Sequence, residues 1–120
     1  TKEKTEYYKD STKESRKYKV GILLNSASAS ASEILAAALK ESYGATLLGL
    51  TSYGKGTVQE TSELETGGMI KYTTAYWLTP NGNKINNVGL KPDVEITGDY
   101  NDDMDYESDT QLLTAIKNMK

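Results

Sequence analysis

The 120-residue sequence contains no histidine and no cysteine. A Ser-His-Asp triad and a cysteine nucleophile are therefore excluded within the chain. A serine enzyme without histidine still needs a general base, and the usual substitute is a lysine amine that has lost its proton. The absence of cysteine leaves the redox compartment undetermined, since disulfide-free chains occur both in the cytosol and among exported bacterial proteins.

Other absences narrow the function further. With 14 basic and 17 acidic residues and a formal net charge of −3, the chain has no basic footprint for nucleic acid. No apolar run approaches the roughly 20 residues of a membrane span. Neither an initiator Met nor a signal peptide stands at the start, which predicts that the chain is a fragment of a longer protein. Its length and 37% hydrophobic content suit one soluble globular domain.

The first half of the chain has the pattern of a βαβ unit. Residues 19–25 and 45–50 are short apolar runs typical of strands buried on both faces. Residues 31–43 between them predict a helix that ends at Gly44. The two strands are therefore expected to be parallel, with a right-handed connection. The predicted apolar face of the helix consists of Ile34, Leu35, Ala38 and Leu39.

The second half predicts antiparallel strands and a last helix. Residues 57–63 and 69–79 are β-rich and are joined across Gly67-Gly68, and a turn follows at residues 79–82. Short strands are expected at residues 88–90 and 94–96. The last helix is expected to start at Ser108 or Asp109, with one apolar face made of Leu112, Leu113 and Ile116.

Two polar segments complete this organisation. Residues 1–17 are polar and charged and are interpreted as an exposed hairpin arm or a frayed terminus. Residues 99–109 carry six acidic residues and no basic one, which is typical of a solvated linker.

Four serines lie between the first strand and the helix: Ser26, Ser28, Ser30 and Ser32. A nucleophile is well placed there, because the strand end positions it and the helix N-terminus offers free N–H groups to an oxyanion. A structural alternative also fits. Ser30 and Glu33 match the S-x-x-E capping box, in which Ser30 would only cap the helix.

Lys55 lies between Gly54 and Gly56, just after the second strand. Because neighbouring parallel strands are about 4.8 Å apart, the end of this strand can bring Lys55 beside the serine cluster. A lysine acts as a base only where burial lowers its pKa, and the flanking glycines allow the backbone to approach closely. Gln59 is neutral and can orient the amine. The alternative is a solvated loop lysine.

A phosphate-binding P-loop is a second alternative, since Gly49, Gly54 and Lys55 have nearly its spacing after a strand. However, Gly56 stands where that motif requires Ser or Thr. The residues that follow are β-rich, whereas a P-loop opens a helix.

In combination, these blocks resemble the carboxyl-terminal processing (tail-specific) serine proteases, which use a Ser–Lys dyad. The resemblance rests on Asn25-x-x-Ser-Ala-Ser-Ala-Ser-Glu33, on Gly54-Lys-Gly-Thr-Val-Gln59, and on the blocks at residues 76–82 and 89–93. It implies that Ser30 is the nucleophile, Lys55 the base and Gln59 the residue that orients the lysine. The N–H of Ala31 would form half of the oxyanion hole. The chain departs from the family pattern at Ala27, where a Gly is more usual.

The resemblance also implies a mixed α/β fold, a partial ClpP/crotonase-like protease core. Residues 1–98 would be the C-terminal part of that core, and residues 99–120 the acidic linker and C-terminal helix. Members of this family carry a PDZ domain and a Gly-rich loop that supplies the second oxyanion donor, and neither is found in these 120 residues. The fragment is therefore expected to be inactive alone and to self-associate as a homodimer through uncovered surfaces.

The expected function is endopeptidase cleavage of protein substrates near their C-termini, without cofactor or metal and without nucleic-acid partners. The family resemblance implies an extracytoplasmic or membrane-associated location in a bacterium. The alternative from another class is a catalytically inactive module that keeps the protease-like fold for binding or scaffolding.

Overall fold

The computed structural model describes residues 3–12, 14, 17–98 and 105–120. Their secondary structure, in chain order, is β1 (Gly21–Leu24), α1 (Ala31–Ala38) with a π-helical continuation (Leu39–Tyr43), β2 (Thr46–Gly49), β3 (Thr57–Glu63), β4 (Met69–Tyr76), β5 (Val94–Glu95) and α2 (Thr110–Met119).

The predicted βαβ unit is confirmed. Strands β1 and β2 are parallel, with Gly21 opposite Thr46 and Leu24 opposite Gly49, and β5 adds to the other side of β2. The prediction that β1 is buried on both faces is wrong. It is an edge strand of the described sheet, and Leu23 keeps 37% of its surface exposed. Strand β2 is central, and its last three residues are buried.

The first helix has the predicted extent but not the predicted face. It runs from Ala31 through the π-helical continuation and ends at Gly44, whose φ of 85° is the left-handed conformation expected there. Leu35, assigned to the core face, is 61% exposed. The buried residues are Glu33, Ala36 and Ala37. They have the i, i+3, i+4 spacing of one helix face, so burying Glu33 turns Leu35 outward.

Helix α2 packs on the opposite side of the sheet from α1. Asp109 caps it, as predicted, by accepting a hydrogen bond from the N–H of Leu112 at 2.9 Å. Its predicted face is wrong in part, because Leu113 is 40% exposed whereas Ala115 is buried. Adjacent residues of β2 point to opposite faces, and this divides the core in two. One cluster consists of Leu24, Ala36, Ala37, Leu47, Ile85 and Leu90, the other of Leu48, Ile96 and Ala115.

The predicted antiparallel hairpin is confirmed by the pairing of β3 with β4, from Thr57 opposite Tyr76 to Glu63 opposite Met69. A register shift between Val58 and Gln59 interrupts the ladder. The hairpin forms its own two-stranded sheet, and β4 is exposed along its whole length.

The segment after the hairpin contains the predicted turn, in which the N–H of Gly82 bonds the carbonyl oxygen of Thr79 at 2.8 Å. The strand predicted at residues 88–90 is wrong. The chain turns there instead, and the N–H of Gly89 returns to the carbonyl oxygen of Ile85. This turn packs against the loop that carries Lys55.

The two polar segments are described only in part. The described residues of the arm, 3–12, 14 and 17, are exposed and have no regular secondary structure. The ring of Tyr8 lies 6.1 Å from that of Trp77. Most of the predicted acidic linker, residues 99–104, lies outside the described residues.

Candidate active site

The serine cluster forms a tight loop between β1 and α1. The side chain of Asn25 accepts the N–H of Ala27 at 2.9 Å, and the backbone N–H of Asn25 donates to the hydroxyl of Ser28 at 3.1 Å. The hydroxyl of Ser32 donates to the carbonyl oxygen of Ala29 at 2.7 Å. The hydroxyls of Ser28 and Ser32 thus serve to shape the loop and the first turn of the helix.

Ser30 has the most unusual backbone of the four. Its φ of 56° and ψ of −117° lie in a region that residues with a side chain rarely adopt. Such strain persists only where the surrounding structure fixes the conformation, and it is concentrated at functional sites. Ser30 is exposed and immediately precedes α1. The loop between β1 and α1 therefore exposes Ser30 at the start of the helix.

The buried side chain of Glu33 holds the backbone of Ser30 in this conformation. The Glu33 side chain is 0% exposed, and its Oε2 accepts the N–H of Ser30 at 2.9 Å. The N–H of Glu33 in turn bonds the carbonyl oxygen of Ser30 at 2.9 Å. The sequence identifies this Ser–Glu spacing as a helix cap, but it does not reveal that Glu33 reaches beyond its own helix.

The same carboxylate holds the loop that follows β2. Oε1 accepts the hydroxyl of Ser52 at 2.6 Å and the N–H of Gly54 at 2.7 Å, while Oε2 accepts the N–H of Lys55 at 2.9 Å. Burial alone would raise the pKa of Glu33. The hydrogen bonds from Ser52, Lys55, Gly54 and Ser30 outweigh it and hold the pKa below its ordinary 4.5.

The glycines on either side of Lys55 are required by close backbone contacts. A Cβ on Gly54, which has a φ of 90°, would lie 2.9 Å from the backbone nitrogen of Gly89. A Cβ on Gly56 would lie 2.6 Å from the backbone nitrogen of Asn86. The loop that follows the hairpin therefore packs directly on the Gly-Lys-Gly segment, and no side chain fits between them.

Although these loops are packed together, the residues predicted to form the site are exposed to solvent. Ser30, Ala31, Lys55 and Gln59 are all exposed. Ala31 is the first residue of α1, where N–H groups have no partner within the helix. Gln59 lies at the register shift of β3, and such bulges redirect side chains next to active sites. The structure joins the backbones of Ser30 and Lys55 at one oxygen of Glu33.

The P-loop alternative is wrong. A P-loop leads into a helix whose N-terminus faces the phosphates, whereas Gly56 leads directly into strand β3. Nor do the described ranges contain a group of three or more Asp or Glu side chains that could hold a metal ion.

Sequence reasoning missed three residues that build this site: Glu33 in its wider role, Ser52, and Asn86, whose side-chain oxygen accepts the N–H of Gly56 at 3.3 Å. It recognised the later block around Asp93 only by resemblance. Asp93 accepts the N–H of Leu47 and the ammonium of Lys40, at 2.9 and 2.7 Å, and so fastens that block to β2. Burial opposes ionisation of Asp93, but these hydrogen bonds lower its pKa.

Comparison with known proteins identifies the family of the chain. The profile of peptidase family S41 matches residues 1–96. A probable CtpA-like serine protease of Staphylococcus aureus is 47% identical over 87 residues, 72% of this chain and 18% of its own. One from Staphylococcus epidermidis is 43% identical over 96 residues, 80% of this chain and 20% of its own. The chain therefore spans about a fifth of the length of these relatives.

Two solved structures share the fold of this chain. The photosystem II D1 C-terminal processing protease superposes with a TM-score of 0.62 and 40% identity over 65% of this chain and 20% of its own. A lipoprotein from Streptococcus agalactiae has a TM-score of 0.64 at 21% identity, covering 87% of this chain and 32% of its own, and supports the fold alone. In the parts of the chain described here, no helix has the length and apolar character to cross a membrane. The mixed α/β fold is part of a protease core, and the chain belongs to peptidase family S41.

Proposed function

We propose that this chain carries the Ser–Lys dyad of a serine endopeptidase that cleaves protein substrates near their C-termini. The observation that carries the proposal is the strained Ser30, whose backbone meets that of Lys55 at one buried carboxylate oxygen. Backbone strain costs free energy and is concentrated at functional sites, so the strain at this exposed serine supports a functional role. The membership of the chain in a peptidase family supports the same assignment.

In this proposal the hydroxyl of Ser30 attacks the scissile carbonyl while the neutral amine of Lys55 takes its proton. The resulting oxyanion is held in part by the N–H of Ala31 at the helix start, where the dipole favours negative charge. Lys55 then gives the proton to the leaving amine as the C–N bond breaks. Water then attacks the acyl-enzyme while Lys55 takes a proton from it, and Lys55 returns that proton to the Ser30 oxygen as the ester C–O bond breaks. Gln59 orients the Lys55 amine throughout.

One observation favours the alternative of an inactive binding or scaffold module. A lysine becomes an efficient base when it is withdrawn from water, and the Lys55 side chain is exposed in this chain. Under the dyad proposal, bound substrate and the portion of the protease that these 120 residues do not include must cover Lys55.

We further propose that the substrates are protein or peptide C-termini presented by a PDZ domain elsewhere in the full polypeptide. The curated relatives named above come from bacteria, and we propose an extracytoplasmic or membrane-associated location. The edge strand β1 has unpaired backbone groups in the described sheet, and we propose that it supports homodimer formation by the isolated chain.

A serine-reactive fluorophosphonate and a peptide-cleavage assay test the dyad in the full polypeptide. Wild type should be labelled and active, whereas Ser30→Ala should be neither. Ser26→Ala is the matched control, because Ser26 is an exposed serine of the same loop, and it should keep both properties. Labelling that survives in Ser30→Ala but not in Ser26→Ala would assign the nucleophile to Ser26. A folded wild type that is neither labelled nor active would favour the scaffold module.

A further inference from the structure

Glu33 is the one charged side chain that is fully buried in the described part of the chain. A carboxylate is costly to bury unless hydrogen bonds replace its hydration. Here four donors do so, and three of them are backbone N–H groups of the two loops that carry Ser30 and Lys55. The usual capping role of such a Glu accounts for only the contact to Ser30.

The two oxygens of Glu33 have different tasks. Oε1 binds Ser52 and Gly54 and anchors the carboxylate to the loop after β2. Oε2 binds the N–H groups of Ser30, in the loop before α1, and of Lys55, in the loop after β2. The loops are also joined where the N–H of Tyr53 bonds the carbonyl oxygen of Ser28 at 2.9 Å. In each loop that contact lies two residues before the proposed dyad residue.

We infer that Glu33 is a positioning residue whose carboxylate sets the placement of Ser30 relative to Lys55 by binding both backbones at one oxygen. This inference rests on the proposed dyad. A carboxylate suits the task because it accepts several hydrogen bonds and donates none. It also holds the N–H of the strained Ser30, so that the helix start keeps the conformation that exposes the serine. Glu33 itself touches no reacting atom.

Glu33→Gln in the full polypeptide is the direct test. A glutamine has nearly the same shape, but its NH₂ group must face either the N–H groups of Ser30 and Lys55 or the N–H of Gly54, so at least one donor faces another donor in each orientation. We expect kcat to fall about 10–100-fold with KM nearly unchanged, because small misplacements of reacting groups have effects of this order. The rate at which fluorophosphonate labels Ser30 should fall in proportion to kcat.

Asp93→Asn is the matched control. Asp93 is also a carboxylate that accepts a backbone N–H, but its partners are Leu47 and Lys40, and it contacts neither dyad loop. Both variants should be less stable than wild type, so they are assayed well below their unfolding temperatures. Asp93→Asn should keep kcat and the labelling rate within about twofold, because the Asp93 carboxylate hydrogen-bonds Leu47 and Lys40 and neither proposed dyad residue.

When Glu33→Gln folds, three outcomes overturn the inference. These are a folded Glu33→Gln with wild-type kcat and labelling, an equal loss of kcat in Asp93→Asn, or a loss confined to KM. If Glu33→Gln does not fold, Glu33→Asp decides, since it keeps the charge on a shorter side chain. We expect it to lose part of kcat, and a wild-type value would overturn the inference. The proposed dyad fails separately, if Ser30→Ala and Lys55→Ala both retain turnover.

Discussion

The region around Glu33 and the β3–β4 hairpin differ in how far their side chains are buried and hydrogen-bonded. Around Glu33, buried groups are fully paired, glycines permit backbone contact, and the loops from two strands are held by one carboxylate. The hairpin is paired from end to end apart from one register shift but is little packed, with Met69 exposed at 70% and Tyr76 at 62%. An isolated two-stranded hairpin is only marginally stable in water.

The candidate site lies where these two regions meet. The backbone of Lys55 belongs to the buried network, whereas its side chain and that of Gln59 lie on the exposed side that leads into the hairpin. The difference indicates that this chain fixes the backbone positions of the proposed dyad residues but not the environment of the lysine amine. Each prediction below alters one side of this division.

The largest effect is expected from separating the chain from the rest of the protease. We expect the 120 residues alone to cleave peptides at least about 10²–10³-fold more slowly than the full polypeptide, since one oxyanion donor is expected to come from another segment. The loss of substrate positioning should add to this. A peptide-cleavage assay on both proteins, with light scattering to detect dimers, measures the effect. Equal rates from a monomeric chain would show that the site is complete in these residues.

Lys55→Arg is expected to have the next largest effect. A guanidinium stays protonated and cannot act as a base, so kcat in the full polypeptide should fall about 10²–10⁴-fold. The thermal midpoint should hardly change, because the Lys55 side chain is exposed and the backbone N–H that binds Glu33 remains. Peptide turnover and thermal unfolding measure the two quantities. Wild-type turnover by the Arg variant would remove the lysine amine from the mechanism.

A third prediction compares the packing of the two regions directly. Leu48 is 0% exposed in β2, and Leu48→Ala should lower the free energy of unfolding by about 2–5 kcal/mol. Met69→Ala in the hairpin should change it by no more than about 0.5 kcal/mol, as is usual for surface substitutions. Urea unfolding of the 120-residue chain at low concentration checks both. A comparable loss from Met69→Ala would mean that the hairpin is packed against something in solution.

The sequence predicts those parts of the fold and of the candidate site that depend on residues close together in the chain. The βαβ unit followed from two apolar runs, an Ala-rich helix and Gly44, and its topology was enough to predict that the end of β2 lies near the serine loop. The helix face was mispredicted because it was assigned from the apolar residues alone, whereas the buried face includes Glu33. Its burial depends on donors from Ser52, Gly54 and Lys55, which are distant in sequence.

The strand prediction at residues 88–90 failed for a related reason. Val88 and Leu90 have the apolar character of strand residues, but the backbone there is committed to the Lys55 loop. The N–H of Asn87 bonds the carbonyl oxygen of Gly54 at 2.8 Å, and the N–H of Leu90 bonds the hydroxyl of Ser52 at 2.7 Å. Side-chain periodicity carries no information on such backbone contacts. The sequence pattern therefore predicted most helices and strands. The polar network that holds the candidate site depends on contacts between distant residues and could be found only from the structure.

The smallest expected effect concerns the pH dependence of stability. The pKa of Glu33 is lowered in the folded chain, so the folded state binds fewer protons there than the unfolded state does. Its contribution to stability is therefore complete above the ordinary 4.5 and is lost as the pH falls through the lowered value. Each unit of lowering corresponds to about 1.4 kcal/mol. Glu33→Gln should be less stable than wild type at pH 7 but should lose less stability between pH 6 and pH 3.

Asp93 sharpens this last comparison, because its pKa is lowered too and it remains in the Glu33→Gln variant. Its acid-dependent contribution should therefore persist in that variant and disappear in Asp93→Asn. Urea midpoints of the three proteins across this pH range separate the two carboxylates. The outcome against the argument is an acid dependence in Glu33→Gln as steep as in wild type. It would mean that the hydrogen bonds at Ser30 and Lys55 do not stabilise the ionised carboxylate in solution, and that the buried network is weaker than its geometry indicates.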